Sequence, residues 1–377
     1  MKLDLTLPSP PSFPASKKKI PRISSGKTME KILTKKALSQ WVKALTSYKV
    51  YVPQKEGEDR WNYAELDSRE VSLDFLGTTL PPKKILFPQH EVFLEFSKST
   101  RDNEETLEVK EILPEDRPTV IFGVRPCDAR AAWLLDKVFS GEFTDPYYWK
   151  RRTQTTLVGL ACDTPPRDNC FCPSVEGSPY SEEGLDILLT DLGDRYFVKP
   201  LTEKGAKLIQ TGKGFFRDAQ PEDKKKVKAV QSEALKKIKR QLKDARSVAA
   251  RLKEKFEAPL WDEESMSCIR CGVCTYLCPS CHCFDINDEV DSTSPLKGKR
   301  VRTWDTCQFP DFTMHSSGHN PRPEKSSRLR QRLFHKFQYF VEIYDKFQCV
   351  GCGRCITLCP VGIDIIKVLD KVNEHGT

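Results

Sequence analysis

The sequence has no apolar run approaching the roughly 18–20 residues of a membrane span. Its N-terminus is rich in Pro, Ser and Lys and lacks the apolar stretch of a signal peptide. These two absences lead to an expectation of a cytoplasmic protein without membrane insertion. No G-x-G-x-x-G opens a helix after a strand, so no flavin or nicotinamide fingerprint is recognised. Gly26-Lys27-Thr28 ends like a P-loop, but the motif's first glycine would fall on Pro21 and no strand precedes it. No Ser/His/Asp arrangement stands out. His315 and His319 are four apart, yet Gly318 and Pro321 argue against a helical metal pair. Hydrophobic residues make up only 38% of the chain, little for one large core. Cysteine, by contrast, is abundant: 15 in 377 residues. The chain is long enough to fold without staples, and disulfides are rare in the cytosol, so the cysteines read first as metal ligands.

Lys and Arg number 61 against 53 Asp and Glu, a net charge of +8, but both signs are interspersed. That is an ordinary solvated surface, and no nucleic-acid partner is expected. At about 150 residues per domain the length allows roughly two to three domains. The fold class expected is α+β/α: a mixed α/β N-terminal domain, a long connecting helix, and a mainly helical ferredoxin-like dicluster C-terminal domain. Residues 1–28 form a Pro- and Lys-rich tail that reads as disordered. Residues 29–215 carry the α/β pattern, with a first helix over 29–46 and short strands near 49–52, 84–87 and 92–95. The apolar run VIFGV, 120–124, leads through Arg125-Pro126-Cys127-Asp128 into a helix with Asp128 as its N-cap. Further strands fall at 156–161 and around Tyr196–Val198. Residues 216–257 form the connection, with 221–257 reading as one long charged helix. The cysteine-rich domain spans 258–366, with helical pattern around 328–344. Residues 367–377 read as a frayed end.

The strongest signal is a repeated spacing. Cys268, Cys271, Cys274 and Cys278 follow C-x-x-C-x-x-C-x-x-x-C and precede Pro279; Cys349, Cys352, Cys355 and Cys359 repeat it before Pro360. This is the run that ligates [4Fe–4S] cubanes. Three cysteines on a tight loop wrap one corner of a cube, and Gly272, Gly351 and Gly353 let the backbone turn closely around it. The fourth begins a helix that points it away, and in two-cluster folds it ligates the other cluster. The expected sets are Cys268, Cys271, Cys274 and Cys359 for one cluster, and Cys349, Cys352, Cys355 and Cys278 for the second. Zinc is the bland alternative, but it suits paired C-x-x-C motifs better than two four-cysteine runs closed by Pro.

Seven cysteines remain. Cys127 and Cys162 each follow a strand; if those strands are parallel neighbours, both thiols sit at one sheet edge. Cys170 and Cys172 lie on the loop just after, so the four would converge on a third [4Fe–4S] cluster. Two alternatives stay open: Cys127 as a lone activated thiol at a helix N-terminus, or four unrelated buried cysteines. Cys281, Cys283 and Cys307 are one short of a cubane unless His282 or an oxygen ligand completes it. They would pack near the clusters, hydrogen-bond to cluster sulfur, or form a thiol site that reduces a disulfide or sulfur substrate. The basic stretches Lys297–Arg302 and Arg328–Arg332 read as solvated faces or as docking for an acidic partner.

The combined pattern resembles a known family: the β subunit of cytoplasmic nickel–iron sulfhydrogenases and the related A subunit of anaerobic sulfite reductase. The resemblance lies in PPKKILF (81–87), IFGVRPCDARAAWLLDKVF (121–139), NCFCPS (169–174), WDEESMSCIRCGVCTYLCPSCHCF (261–284), TWDTCQF (303–309), GHNPRP (318–323) and CVGCGRCITLCP (349–360). It implies a non-catalytic iron–sulfur conduit of an anaerobic oxidoreductase complex, passing single electrons between a flavin subunit that handles NAD(P)H and a separate catalytic redox subunit. It also supports the third cluster at Cys127, Cys162, Cys170 and Cys172, and gives Cys281, Cys283 and Cys307 no role.

Overall fold

The computed structural model describes Arg22 and residues 30–58, 60–67, 70–101 and 104–374. Apart from Arg22, which bridges to Thr202, the expected N-terminal tail lies outside the described residues. Twelve strands are found among them: β1 (Lys31–Thr34), β2 (Lys49–Glu56), β3 (Arg60–Glu65), β4 (His90–Arg101), β5 (Glu104–Glu111), β6 (Thr119–Val124), β7 (Thr155–Leu160), β8 (Ile187–Asp191), β9 (Arg195–Pro200), β10 (Phe216–Asp218), β11 (Phe284–Thr293) and β12 (Leu296–Trp304). They make an eight-stranded sheet, β10-β1-β9-β8-β7-β6-β2-β3, and a four-stranded sheet, β11-β12-β4-β5. At the centre of the first, β2, β6, β7 and β8 run parallel. Their residues are apolar on both faces, as a sheet covered on both sides requires. Val120, Phe122 and Val158 meet Trp41, Val42 and Leu208 on one face. Ile121, Val124 and Leu157 meet Ala129, Leu135 and Trp149 on the other.

Several elements differ from expectation. The first helix begins only at Lys35, because Thr34 caps it: its Oγ1 accepts from the Ala37 N–H at 3.2 Å. The preceding residues become β1, between β9 and β10. The stretch near 84–87 is a helical turn, Lys83–Leu86, with Lys83 and Leu86 three apart and both buried. Asp128 does not cap its helix; Arg125 holds that position, and Asp128 takes a buried partner described below.

The long connecting helix is broken. Pro221–Lys236 and Val248–Glu254 are separate helices, and Asp244 between them turns with φ 45°. The break lets Leu242, Val248 and Leu252 all reach the C-terminal core, which one straight face would not allow. That core also takes the chain end. Helix Ile365–Glu374 buries Ile365, Val368, Leu369 and Val372, spaced as one helical face, so the end is packed through residue 374 rather than frayed.

The stretch between the two cysteine runs is not all helical. Its hairpin β11–β12 leaves the helices and pairs with β4, so the cysteine-rich region and the α/β region share a sheet. Trp304 at its base stacks on Phe87 at 5.9 Å and donates from Nε1 to the Phe87 carbonyl. Among the described residues, no helix is long and apolar enough to cross a membrane.

Candidate metal centres

The two cysteine runs fold alike. In each, a glycine with φ 72° and ψ −7°, Gly272 or Gly353, opens a one-turn helix: Val273–Tyr276 or Arg354–Thr357. In each, the residue two past the first cysteine sends its backbone N–H back to that sulfur. Arg270 donates to Cys268 Sγ at 3.4 Å, and Gly351 to Cys349 Sγ at 3.5 Å. The loop thus curls around its own sulfurs, and N–H groups turned inward stabilise thiolate charge.

Cys268, Cys271, Cys274 and Cys359 line one cavity together, with Cys355 on the same wall. Cys127, Cys162, Cys170 and Cys172 line a second, with Cys352 on its wall. The sheet explains this second meeting: β6 and β7 are parallel neighbours, so the residues just after them emerge at one edge. Cys278 and Cys349 are buried and line neither cavity. Lys336 Nζ donates to Cys278 Sγ at 3.2 Å, and Cys349 and Cys355 stand close enough to Cys278 to feel its charge. Cys355 on the first wall and Cys352 on the second both belong to the second run, so that run reaches from one cavity to the other.

The second cavity closes on the second run at backbone distance. A Cβ on Gly351 would stand 2.5 Å from Cys172 Cα, and one on Gly353 would stand 2.7 Å from the Asn169 backbone. The Phe171 N–H donates to the Gly351 carbonyl at 2.8 Å. Phe171 and Val175 sit in the C-terminal core. A buried ion pair fixes the same junction: Arg354 Nη1 and Nη2 donate to Asp128 Oδ1 and Oδ2 at 2.5 and 2.9 Å, and Arg354 Nε donates to the Thr78 carbonyl. A bidentate Arg–carboxylate pair sets orientation as well as attraction.

Burial pushes the thiols of Cys170, Cys349 and Cys355 up to about 12, and that of Cys127 well up, against the reading of Cys127 as a lone activated nucleophile. Thiols so raised become thiolates only when a metal replaces the proton. Among the described residues, no three His, Cys, Asp or Glu groups converge tightly enough for a single metal ion. Cysteines spread around a cavity suit a polynuclear group, not one tetrahedral zinc.

Cys281, Cys283 and Cys307 are on neither cavity wall. Cys283 and Cys307 hydrogen-bond to each other, which draws the Cys307 thiol down to about 5. Cys307 Sγ also accepts from Gln308 Nε2 at 3.4 Å. Cys281 is buried beside Cys278. The basic stretches are solvated only in part: Lys297 and Arg300 are exposed as expected, but other cations of the two stretches turn inward. Arg302 is buried and paired with Glu91 and Asp145, and Arg328 and Arg332 are both buried. Sequence reading missed these cations and the Asp128–Arg354 pair. The four-residue spacing of Arg328, Arg332 and Lys336 was the one available signal, since it places them on a single helical face.

This arrangement defines an iron–sulfur protein of the dicluster class, and residues 267–363 match a family model described as "4Fe-4S dicluster domain". The similarity extends beyond that domain. Over 327 residues, 86% of this chain and 92% of the relative's length, the protein is 33% identical to sulfhydrogenase 2 subunit beta of Pyrococcus furiosus. The chain belongs to the family of sulfhydrogenase β subunits. It is thus an iron–sulfur electron-transfer subunit that carries [4Fe–4S] clusters.

Proposed function

We propose that the chain holds three [4Fe–4S] clusters in series and relays single electrons between a flavin subunit that handles NAD(P)H and a separate catalytic redox subunit. The ligand sets in this reading are Cys268, Cys271, Cys274 and Cys359; Cys349, Cys352, Cys355 and Cys278; and Cys127, Cys162, Cys170 and Cys172. The clusters supply one-electron chemistry, each at a potential set by its surroundings. The protein's own residues hold them in a row and bury Cys278 and Cys349 of the middle set.

The observation that carries this reading is the unbroken trail of thiols. It starts at exposed Cys271 in the first cavity, passes Cys355, Cys349 and Cys352, and ends at Cys127 and Cys162 on the sheet edge. Iron and acid-labile sulfide counted on the anaerobically reconstituted chain test it. Three cubanes give about twelve irons per chain, two give about eight, and a zinc scaffold gives almost none. A count near eight removes the third cluster. Loss of all reducible [4Fe–4S] EPR signal removes the relay. The partners are tested separately, by co-purification from anaerobic cells.

A second reading, a thiol site that reduces a disulfide substrate, draws on the hydrogen-bonded pair Cys283 and Cys307. Cys283→Ser separates the two readings. Unchanged electron relay with no loss of disulfide reduction leaves the pair a structural contact.

A further inference from the structure

Nine Lys and Arg side chains are buried in the described structure. Four have carboxylate partners: Arg130 with Glu176 and Glu183, Arg152 with Asp136, Arg302 with Glu91 and Asp145, and Arg354 with Asp128. The other five are Lys83, Arg125, Arg328, Arg332 and Lys336. Among the described residues none of these has a carboxylate within ion-pair distance, and each lies within electrostatic reach of a cysteine. An unpaired buried cation is costly, so such groups are normally compensated by an anion.

Three of the five form a row. Arg328, Arg332 and Lys336 occur every fourth residue along the helical stretch Lys325–Tyr344, so they share one face. They are 1%, 3% and 3% exposed. Arg328 Nη1 donates only to the carbonyls of Arg322 and Pro323, and besides the neighbouring Arg270 and Glu324 its electrostatic surroundings include Cys268. Arg332 lines the first cavity, and its Nη1 reaches Thr275 Oγ1 at 3.5 Å and Cys281 Sγ at 3.7 Å. Both arginines keep Nε and Nη2 without a partner. Lys336 Nζ donates to Cys278 Sγ at 3.2 Å, Gln348 Oε1 at 3.4 Å and Ser280 Oγ at 3.5 Å. The row begins beside the first run and ends at the buried middle set. Its last member lies where the helix widens into a π turn, His335–Tyr339, a distortion frequent at functional sites.

We infer that Arg328, Arg332 and Lys336 are a fixed counter-charge row for the clusters, and that Lys336 makes the middle cluster easier to reduce. This rests on the ligand sets proposed above. Four thiolates leave a cubane with net negative charge, and each reduction adds one more. A buried fixed cation favours the more negative state, and N–H donors to sulfur act in the same direction. The row also accounts for the two orphaned nitrogens of Arg332, which lines the first cavity and whose acceptors are then cluster and cysteine sulfur. These residues are positioning residues: they act on the clusters without exchanging electrons.

An EPR-monitored redox titration of the reconstituted full-length chain tests this. Lys336→Met should lower one midpoint potential and leave the others in place. At fixed ambient potential the reduced/oxidised ratio of that cluster should fall about tenfold, equivalent to about 59 mV for one electron. Lys336→Arg should restore most of it, which a merely structural role would not do. Full iron content in Lys336→Met with less than a roughly twofold change in every cluster's reduced/oxidised ratio would overturn the inference. Should Lys336→Met lose iron, Lys83→Met carries the test. Lys83 Nζ donates to the Cys281 carbonyl and touches no thiol, and its removal should shift the same midpoint downward by a smaller amount. No shift there overturns the inference too. A wild-type chain without cubane signals would instead overturn the ligand sets.

Discussion

The two cysteine runs share spacing, glycine placement and backbone conformation, yet they live in opposite environments. The first is at the surface: Cys271 is exposed, and Met266 and Ile269 beside it are 71% and 59% exposed. The second is enclosed, with Cys349 buried and Gly351 against the Cys172 backbone. One sequence device thus serves two purposes, and what separates them lies outside the device. The second run is covered by the loop Asn169–Cys172 and by the Asp128–Arg354 pair. The first lacks such a cover, so its open side is the natural contact for a redox partner. Substitutions that treat the two runs differently test this contrast.

The largest effect should come from the ion pair that only the second run has. Asp128→Ala leaves the buried Arg354 guanidinium without its carboxylate, which typically costs about 3–5 kcal/mol. Chemical denaturation of the holoprotein should show that loss, with iron released first from the sites at the junction. A variant within about 1 kcal/mol of wild type would mean that the cover does not depend on the pair.

Next in size is Gly351→Ala. A Cβ here would need a left-handed backbone at φ 65° and would stand 2.5 Å from Cys172 Cα and N. The conformation costs about 1–2 kcal/mol, and overpacking adds roughly 1–3 kcal/mol. The expected result is a destabilised chain that keeps the first-run cluster and loses iron from the Cys127, Cys162, Cys170 and Cys172 site. Retention of the full iron count would break the link between the second run and that cavity.

A kinetic test needs no mutation. Under an iron chelator, the open site should yield first, giving a fast phase of about one-third of the iron if three cubanes are present. Release in a single phase would mean that the two runs are equally covered.

The shared part of this contrast was legible in the sequence, and the differing part was not. Spacing alone set eight cysteines apart in two matching runs, and the two runs do fold alike. The apolar runs 120–124 and 156–161 also indicated strands, and their parallel adjacency brings Cys127 and Cys162 to one edge. The environment was hidden because it comes from residues far apart in the chain. Asp128 reads locally as a helix cap, and nothing near it announces Arg354. The hairpin Phe284–Trp304 pairs with β4, more than two hundred residues earlier for most of its pairs, which no local pattern encodes. Arg328 and Arg332 read as surface because arginine is seldom buried, and only a buried anion reverses that expectation.

The smallest effect tests the first run from its own side. Arg270 occupies the position of Gly351 and takes nearly the same left-handed backbone, φ 59° against 65°. An arginine there carries conformational strain of about 1–2 kcal/mol that glycine would not. Glycine loses about 0.5–1 kcal/mol more backbone entropy on folding, which offsets part of the gain. Arg270→Gly should therefore stabilise the chain by at most about 1 kcal/mol, leaving iron content unchanged. With an open side, the first run tolerates a long side chain at this position, whereas the covered second run has no room even for a methyl group. Thermal unfolding of the holoprotein measures the difference. A clear destabilisation by Arg270→Gly would show that the arginine is held by a contact of its own, and that the first run is less open than its exposed Cys271 implies.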